Sequence, residues 1–193
     1  MTINIVIVGV GGQGTLLASK ILGVLGMKNG YDVRVSEVHG MSQRGGSVTT
    51  YVRLSNTEKL YSTIVEQEQA DVVLAFEQLE AVRALPYLKN EGVIIANSQQ
   101  ILPVPVIVGN EKYPDNCIDR IKAHNDSIIV DAAKIAIECG TVKAVNTVLL
   151  GVLATKMPFI KADWLEAIAN NVKPAFKELN EKAFIRGYEL NSK

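Results

Sequence analysis

The sequence predicts an α/β fold: a Rossmann-like, mostly parallel sheet with helices on both faces, an inserted antiparallel hairpin and a helical C-terminal segment. Three observations predict it. Residues 3–8, "INIVIV", form a mostly apolar run ending at Gly9, which is how a strand buried on both faces reads. The glycine-rich "GVGGQG" then leads into a long apolar stretch of helical length. Further along, short apolar runs alternate with helix-length segments, the pattern of βα units.

The elements follow in order. Residues 13–29 read as a helix in which Lys20 is the only charge between Thr15 and Met27, so it is apolar nearly all round and needs cover beyond one sheet face. Gly30 ends it. Residues 32–38 form a second strand. In "SVTTYVRLS", Val48, Thr50, Val52 and Leu54 share one face, and Thr49, Tyr51 and Arg53 the other. After the turn "SNTEK", residues 60–65 complete the inserted hairpin. Residues 72–76 are a strand, 78–85 a helix stopped by Pro86, and 93–96 a strand. Pro103 and Pro105 mark an extended, irregular stretch, and 128–130 a short strand. Residues 132–139 are helical up to Gly140, and 145–156 form another apolar helix. "KADWLEAIANNV" opens with Asp163 and Glu166 at capping-box spacing and carries the stripe Trp164, Leu165, Ile168 and Val172. Pro174 begins a last helix, with Phe176, Leu179 and Ala183 at i, i+3 and i+7. No internal repeat, low-complexity tract or linker interrupts the chain, so residues 1–193 read as a single domain.

Composition narrows the function. Hydrophobic residues make up 48% of the 193, ample for a core, and 20 basic residues balance 20 acidic ones. With no basic stripe, nucleic acid is not an expected partner; a small molecule or a protein is. The two cysteines, Cys117 and Cys139, form no C-x-x-C pair, and His39 and His124 are far apart, so no metal site is expected of this chain alone. "MTINIVIVG" lacks a positively charged leader region, and no 18-residue uncharged apolar run occurs. A cytoplasmic chain that does not span a membrane is expected.

Two segments carry candidate chemistry. Gly9, Gly11 and Gly14 satisfy G-x-G-x-x-G between a strand and a helix, with Gly12 and Gln13 inside the loop. Such a loop turns N–H groups and a helix N-terminus toward an anion, or else permits tight strand–helix packing. Glu37, near the end of the second strand, is either a ribose anchor or a solvated carboxylate. The second segment is "EVHGMSQRGGSV", residues 37–48, which leaves the same carboxyl edge where residues 9–14, 37–40, 77 and 97–98 should line up. Gly45-Gly46 can form a concave nest of N–H groups. Arg44 offers a planar cation for phosphate or carboxylate, Ser42 and Gln43 offer neutral hydrogen-bonding groups, and His39 can titrate near neutral pH. Singly, each has a bland reading as a surface ion pair or a satisfied loop residue; together they point to an anion-handling or subunit-contacting loop. His39 and Arg44 are the catalytic candidates. There is no nucleophile elbow, Walker sequence, H-E-x-x-H or "GDG", so much of any chemistry has to reside elsewhere.

"GVGGQGTLLASKILG" (residues 9–23) and "EVHGMSQRGGSV" together resemble the gamma-type subunit of 2-oxoacid:ferredoxin oxidoreductases, most in the style of the indolepyruvate type. "VRLS", "NTVLLGVLA" and "ELNEKAFIRGYE" extend the likeness to the end of the chain, with residues 99–123 least characteristic. The resemblance implies an accessory subunit, inactive alone, in a CoA-dependent oxidative decarboxylation of a 2-oxo acid, here an aryl pyruvate, with ferredoxin as electron acceptor. It implies that a large companion carries thiamine diphosphate, magnesium and the iron–sulfur clusters, that this chain binds no cofactor firmly, and that coenzyme A is a co-substrate. The alternatives are a free-standing NAD(P)-binding oxidoreductase and a non-catalytic nucleotide-binding module.

Overall fold

The structure is a computed structural model that describes residues 1–40, 45–124 and 126–191. Its elements run β1 (Thr2–Val10), α1 (Thr15–Lys28), β2 (Asp32–His39), β3 (Ser47–Ser55), β4 (Ala70–Ala75), α2 (Gln78–Ala84), β5 (Leu88–Asn97), α3 (Val104–Ile107), α4 (Cys117–Lys122), β6 (Ser127–Val130), α5 (Ala132–Cys139), α6 (Val145–Ala154), α7 (Lys161–Asn171) and α8 (Lys177–Glu189). Six strands form one sheet in the order β2-β3-β1-β4-β5-β6. The β1-β4-β5-β6 side is parallel, while β3 lies antiparallel between β1 and β2.

The antiparallel insertion is real, but its partners differ from those the sequence predicts. β3 pairs with β2 on one side and β1 on the other, so neither edge is left for residues 60–65. That stretch is held by side chains instead: Leu60 N donates to Asp32 Oδ2 at 2.6 Å, and Arg53 donates to Ser62 O at 3.1 Å. Leu60 and Val65 are buried, whereas Tyr61 between them is 86% exposed, which no ladder rung requires.

Alternation along the strands divides the interior in two. Ile5, Ile7, Val52, Leu54, Leu74 and Ile95 face the core beneath α1, α5, α6, α7 and α8. Val6, Val8, Tyr51, Val73, Ile94 and Ala96 face the core beneath α2 and α4. The face assignments read from "SVTTYVRLS" hold.

α6 is buried at every position. It crosses α8 so closely that a Cβ on Gly151 would overlap the backbone of α8, and one on Gly187 the backbone at Val148. Trp164 of α7 is fully buried and stacks on Phe184 of α8, with ring centroids 5.9 Å apart. Of the last helix's stripe, Ala183 is buried, Leu179 half-buried and Phe176 exposed, because Pro174 starts a tight 3-10 turn that carries Phe176 to the surface before α8 begins.

The capping-box reading of Asp163 is corrected. α7 starts after Ile160, which places Asp163 inside its first turn. Asp163 and Glu166 instead both take the ammonium of Lys28, at 2.7 and 2.6 Å, which docks α7 over the end of α1. That hydrogen bond lowers the Asp163 pKa and raises that of Lys28. The outer side of α1 is covered only in part, since Leu16 and Met27 stay 64% and 62% exposed. The stretch around Pro103 and Pro105, expected to be irregular, winds into the single turn of α3, with a proline in its first turn where the missing N–H costs nothing. No helix among the described residues is long and apolar enough to cross a membrane.

Candidate functional site

β2 runs in the direction of β1 because β3 is reversed between them, so the carboxyl ends of β1, β2, β4 and β5 share one edge. Residues 9–14, 37–40, 77 and 97–98 therefore line up as the sequence implied. The glycine loop stands on this edge. Gly12 and Gly14 take φ of +100° and +92°, which a side chain would resist, and a Cβ on Gly14 would also lie 2.6 Å from Asn146 Nδ2. Gly14 caps α1 with no side-chain bond and no acidic residue in the first turn. The first N–H groups of α1 thus have no intrahelical acceptor, and the positive end of the helix dipole lies at the loop.

What fills the loop is a side chain of the protein itself. Gln13 Oε1 accepts from Val10 N at 2.7 Å, and its Nε2 donates to Phe76 O at 3.1 Å. Asn97, fully buried, donates to the same carbonyl at 3.1 Å and accepts from Ala132 N at 3.2 Å. Together they stitch the ends of β1, β4 and β5 to α5. In an open α/β sheet, ligands enter the crevice where successive helices leave to opposite faces. Here that crevice lies between β1 and β4, and Gln13 occupies it.

The open space is on the other side of the loop. A pocket of about 390 Å³ is lined by Gly11, Gly12, Gly14, Thr15 and Leu16 together with Glu37, His39 and Val48. Gly11 N donates to Gly46 O at 2.9 Å, fastening the glycine loop to the returning segment. Of the tandem pair, Gly45 takes φ +74°, while Gly46 turns its carbonyl to the loop; the pair acts as a clamp here. Glu37 is exposed and accepts from Thr50 Oγ1 at 3.2 Å. With β3 interposed, it sits two strand spacings from β1, about 10 Å. Exposed His39 holds Nδ1 at 2.9 Å from Gly40 O. Ser42, Gln43 and Arg44 lie outside the described residues.

Sequence reasoning named Glu77 only as a strand end and missed what surrounds it. The Glu77 carboxylate is 1% exposed, caps α2 by accepting from Glu80 N, and accepts from Tyr113 OH at 3.1 Å. Glu80, 4% exposed, accepts from Ser47 Oγ and from Arg83, each at 2.5 Å. Ser47 opens β3, so Glu80 anchors the start of that strand. The Glu77-x-x-Glu80 spacing was an available signal of the helix start; Tyr113 comes from a segment with no periodicity to announce it. Burial pushes the Glu77 carboxyl up despite the donors that oppose it. Burial, with the Glu77 charge nearby, also raises the Cys117 thiol. Cys117 and Cys139 sit in the two different cores, on opposite faces of the sheet, so they cannot jointly ligate a cluster. Among the described residues no three His, Cys, Asp or Glu side chains converge on a metal-sized site.

A Rossmann-like sheet with its glycine crevice stitched shut, and a pocket opening toward an inserted antiparallel strand, defines an α/β module whose rim presents a surface rather than a deep cleft. Residues 4–190 match the family model described as pyruvate ferredoxin/flavodoxin oxidoreductase. The chain belongs to that family. It is 43% identical to indolepyruvate oxidoreductase subunit IorB of Pyrococcus horikoshii, over 95% of this chain and 93% of that protein. It is 30% identical to the common gamma subunit of the pyruvate/ketoisovalerate oxidoreductases of Pyrococcus furiosus, over 94% of this chain and 92% of that one. The crystal structure of the keto/oxoacid ferredoxin oxidoreductase gamma subunit from Geobacter sulfurreducens PCA superposes with a TM-score of 0.73 at 25% identity, covering 97% of this chain and 96% of the other. The gamma-type resemblance read from the two glycine-containing segments is thus shown along nearly the whole chain.

Proposed function

We propose that this chain is the accessory, gamma-type subunit of an oxidoreductase that oxidatively decarboxylates aryl pyruvates such as indolepyruvate, transferring the acyl group to coenzyme A and the electrons to ferredoxin. The observation that carries the reading is the 43% identity, along nearly the full length of both chains, to a subunit of indolepyruvate oxidoreductase. Decarboxylating a 2-oxo acid needs an electron sink for the developing carbanion, and no unmodified side chain at this rim offers one. A large companion subunit supplies thiamine diphosphate, magnesium and iron–sulfur clusters; this chain binds none of them firmly and turns nothing over alone. Its two cysteines, buried in separate cores, accord with clusters held elsewhere.

The contribution of the chain is to wall the active site and to receive the acyl acceptor. The pocket beside Gly11, Gly12 and Gly14 takes an anionic group of coenzyme A at the uncapped start of α1. Arg44 pairs with that anion, Ser42 and Gln43 add hydrogen bonds, His39 and Glu37 orient the group from the β2 side, and the Gly45-Gly46 clamp sets the backbone close. A free-standing nicotinamide enzyme is the weaker reading, because Gln13 fills the crevice a dinucleotide would enter and β3 moves Glu37 one strand further from the loop. The complex works in the cytoplasm, a reducing setting that the two free thiols of this chain suit.

Reconstitution tests this. The purified chain should show no oxo-acid-dependent dye reduction with thiamine diphosphate, magnesium and coenzyme A, and adding the companion should restore it. Turnover by the pure chain would overturn the subunit reading, and calorimetric binding of NAD(H) would revive the nicotinamide one. Arg44→Ala should lower the activity of the complex about tenfold or more, the loss of one charge-assisted hydrogen bond, and Arg44→Lys should rescue only part of it.

A further inference from the structure

A second pocket, of about 430 Å³, lies on the α6–α8 side of the sheet and shares no lining residue with the glycine-loop pocket. Leu17, Val172, Phe176 and Leu179 give it an apolar floor and wall. Its charged groups are of one sign. Lys143 and Lys173 line it, and among the described residues no carboxylate does. Neither lysine belongs to any of the ion pairs formed among the described residues. The run from Pro174 into α8 begins at this pocket without a side-chain cap and brings its positive end to it, whereas the turn leading into α6 is capped by Thr141, which accepts from Lys143 N.

An independent feature points to a ligand with an acceptor group. Asn146 lines the pocket while only 7% exposed. Its Oδ1 is engaged, accepting from Thr147 N at 2.8 Å and from Thr147 Oγ1 at 3.3 Å. Its Nδ2 donates to no acceptor among the described residues and, unlike Trp164 Nε1, is not sealed from solvent, so a ligand in the pocket can reach it. The other amides here are satisfied: Asn180 accepts from Thr147 Oγ1 and donates to Phe176 O, and Asn171 donates to Ala167 O.

We infer that this pocket binds a small amphipathic carboxylate, its apolar body on Leu17, Val172 and Leu179, its edge against Phe176, and its carboxylate taken by Asn146 Nδ2 and the two lysines. The volume falls within the range of small-molecule sites, and an apolar lining with a few convergent polar groups is what such sites require. The buried amide fixes where the carboxylate sits, while the lysines, on flexible stems, neutralise it and leave the mouth open. Asn146 Nδ2 also stands beside Gly14, so this pocket adjoins the glycine loop, although the two pockets share no lining residue.

The test is titration of the full chain with phenylpropionate, followed by amide NMR, with the uncharged phenylpropionamide and inorganic phosphate as comparisons. Phenylpropionate should perturb residues around Asn146, Lys143 and Lys173 saturably, and both comparison compounds should bind about tenfold more weakly or worse. The exposed double change Lys143→Glu with Lys173→Glu should weaken phenylpropionate about tenfold without altering the fold. Asn146→Asp, which keeps the oxygen that Thr147 uses and replaces the donor, should abolish binding. Equal binding of acid and amide, perturbations centred on Gly11 and His39 instead, or no binding at millimolar ligand would each overturn the proposal. So would a pocket that the companion subunit covers in the assembled complex, since that would make it an interface.

Discussion

Trp164 and Glu77 are both almost wholly buried, at 0% and 1% exposure, on opposite sides of the same sheet, and the contrast between them is the contrast between the two cores. Around Trp164 the interior is aromatic and aliphatic: Phe159 meets it edge-on, Phe184 stacks on it, Tyr188 packs on Phe184 in turn, and α6 beneath is buried on every side. Its one polar atom, Nε1, finds no partner among the described residues, so shape rather than hydrogen bonding holds the ring. Around Glu77 the interior is polar and linked. Two carboxylates, Tyr113, Ser47 and the thiol of Cys117 share a small space under two short helices. The first core fixes the body of the molecule. The second fixes where the loops of the rim leave it, since Glu77 holds Tyr113 and Glu80 holds Ser47.

The largest expected effect would break the apolar side. Gly187→Val should cost more than the ~1–3 kcal/mol usual for overpacking, because the added atoms meet the backbone at Val148 and a helix has to move. Chemical denaturation should show an early transition or no folded baseline; a near-normal midpoint would mean that α6 and α8 pack less closely than described. Next is Trp164→Ala, with a loss of ~3–5 kcal/mol in the same measurement, the range for deleting a buried aromatic.

On the polar side the effect should depend on pH. Burial holds the Glu77 carboxyl above its ordinary 4.5, so the folded chain binds that proton more tightly than the unfolded one. The stability this group contributes is full below pH 4.5 and declines as pH rises through the raised value. Glu77→Gln should flatten that decline and leave the low-pH midpoint almost unchanged. Midpoints measured across that range would sink the idea if wild type and variant ran parallel. The smallest effect belongs to neither core. Met27→Gln, on the exposed side of α1, should change chain stability by no more than about 0.5 kcal/mol. A complex that dissociates more readily in this variant would show that the companion covers what α7 leaves open.

The same division separates what the sequence revealed from what it concealed. Residues 132–139 and the boundaries at Gly30, Pro86 and Gly140 were legible because long apolar periods and stop residues determine them locally. The position of β3 was not, since the pattern of "SVTTYVRLS" gives its faces but not its neighbours, and both candidate partners were apolar enough to pair. At the rim, the alignment of the glycine loop with Glu37 and His39 followed from strand direction alone. The place of Gln13 in the motif is visible in the sequence, but its side-chain bonds to Val10 and Phe76 are not. Residues 99–123 carried no period at all, so the short helices α3 and α4 and the reach of Tyr113 to Glu77 were out of view.

The crossing of α6 and α8 has a consequence for descent. At both Gly151 and Gly187 the obstacle to a side chain is main chain, not another side chain. A second-site change that trims a neighbour therefore gives no relief, and a suppressor hunt begun from either glycine would come back empty unless it moved a whole helix. A lineage can repaint the rim loop residue by residue, but it inherits these two hydrogens together with the angle at which the helices meet.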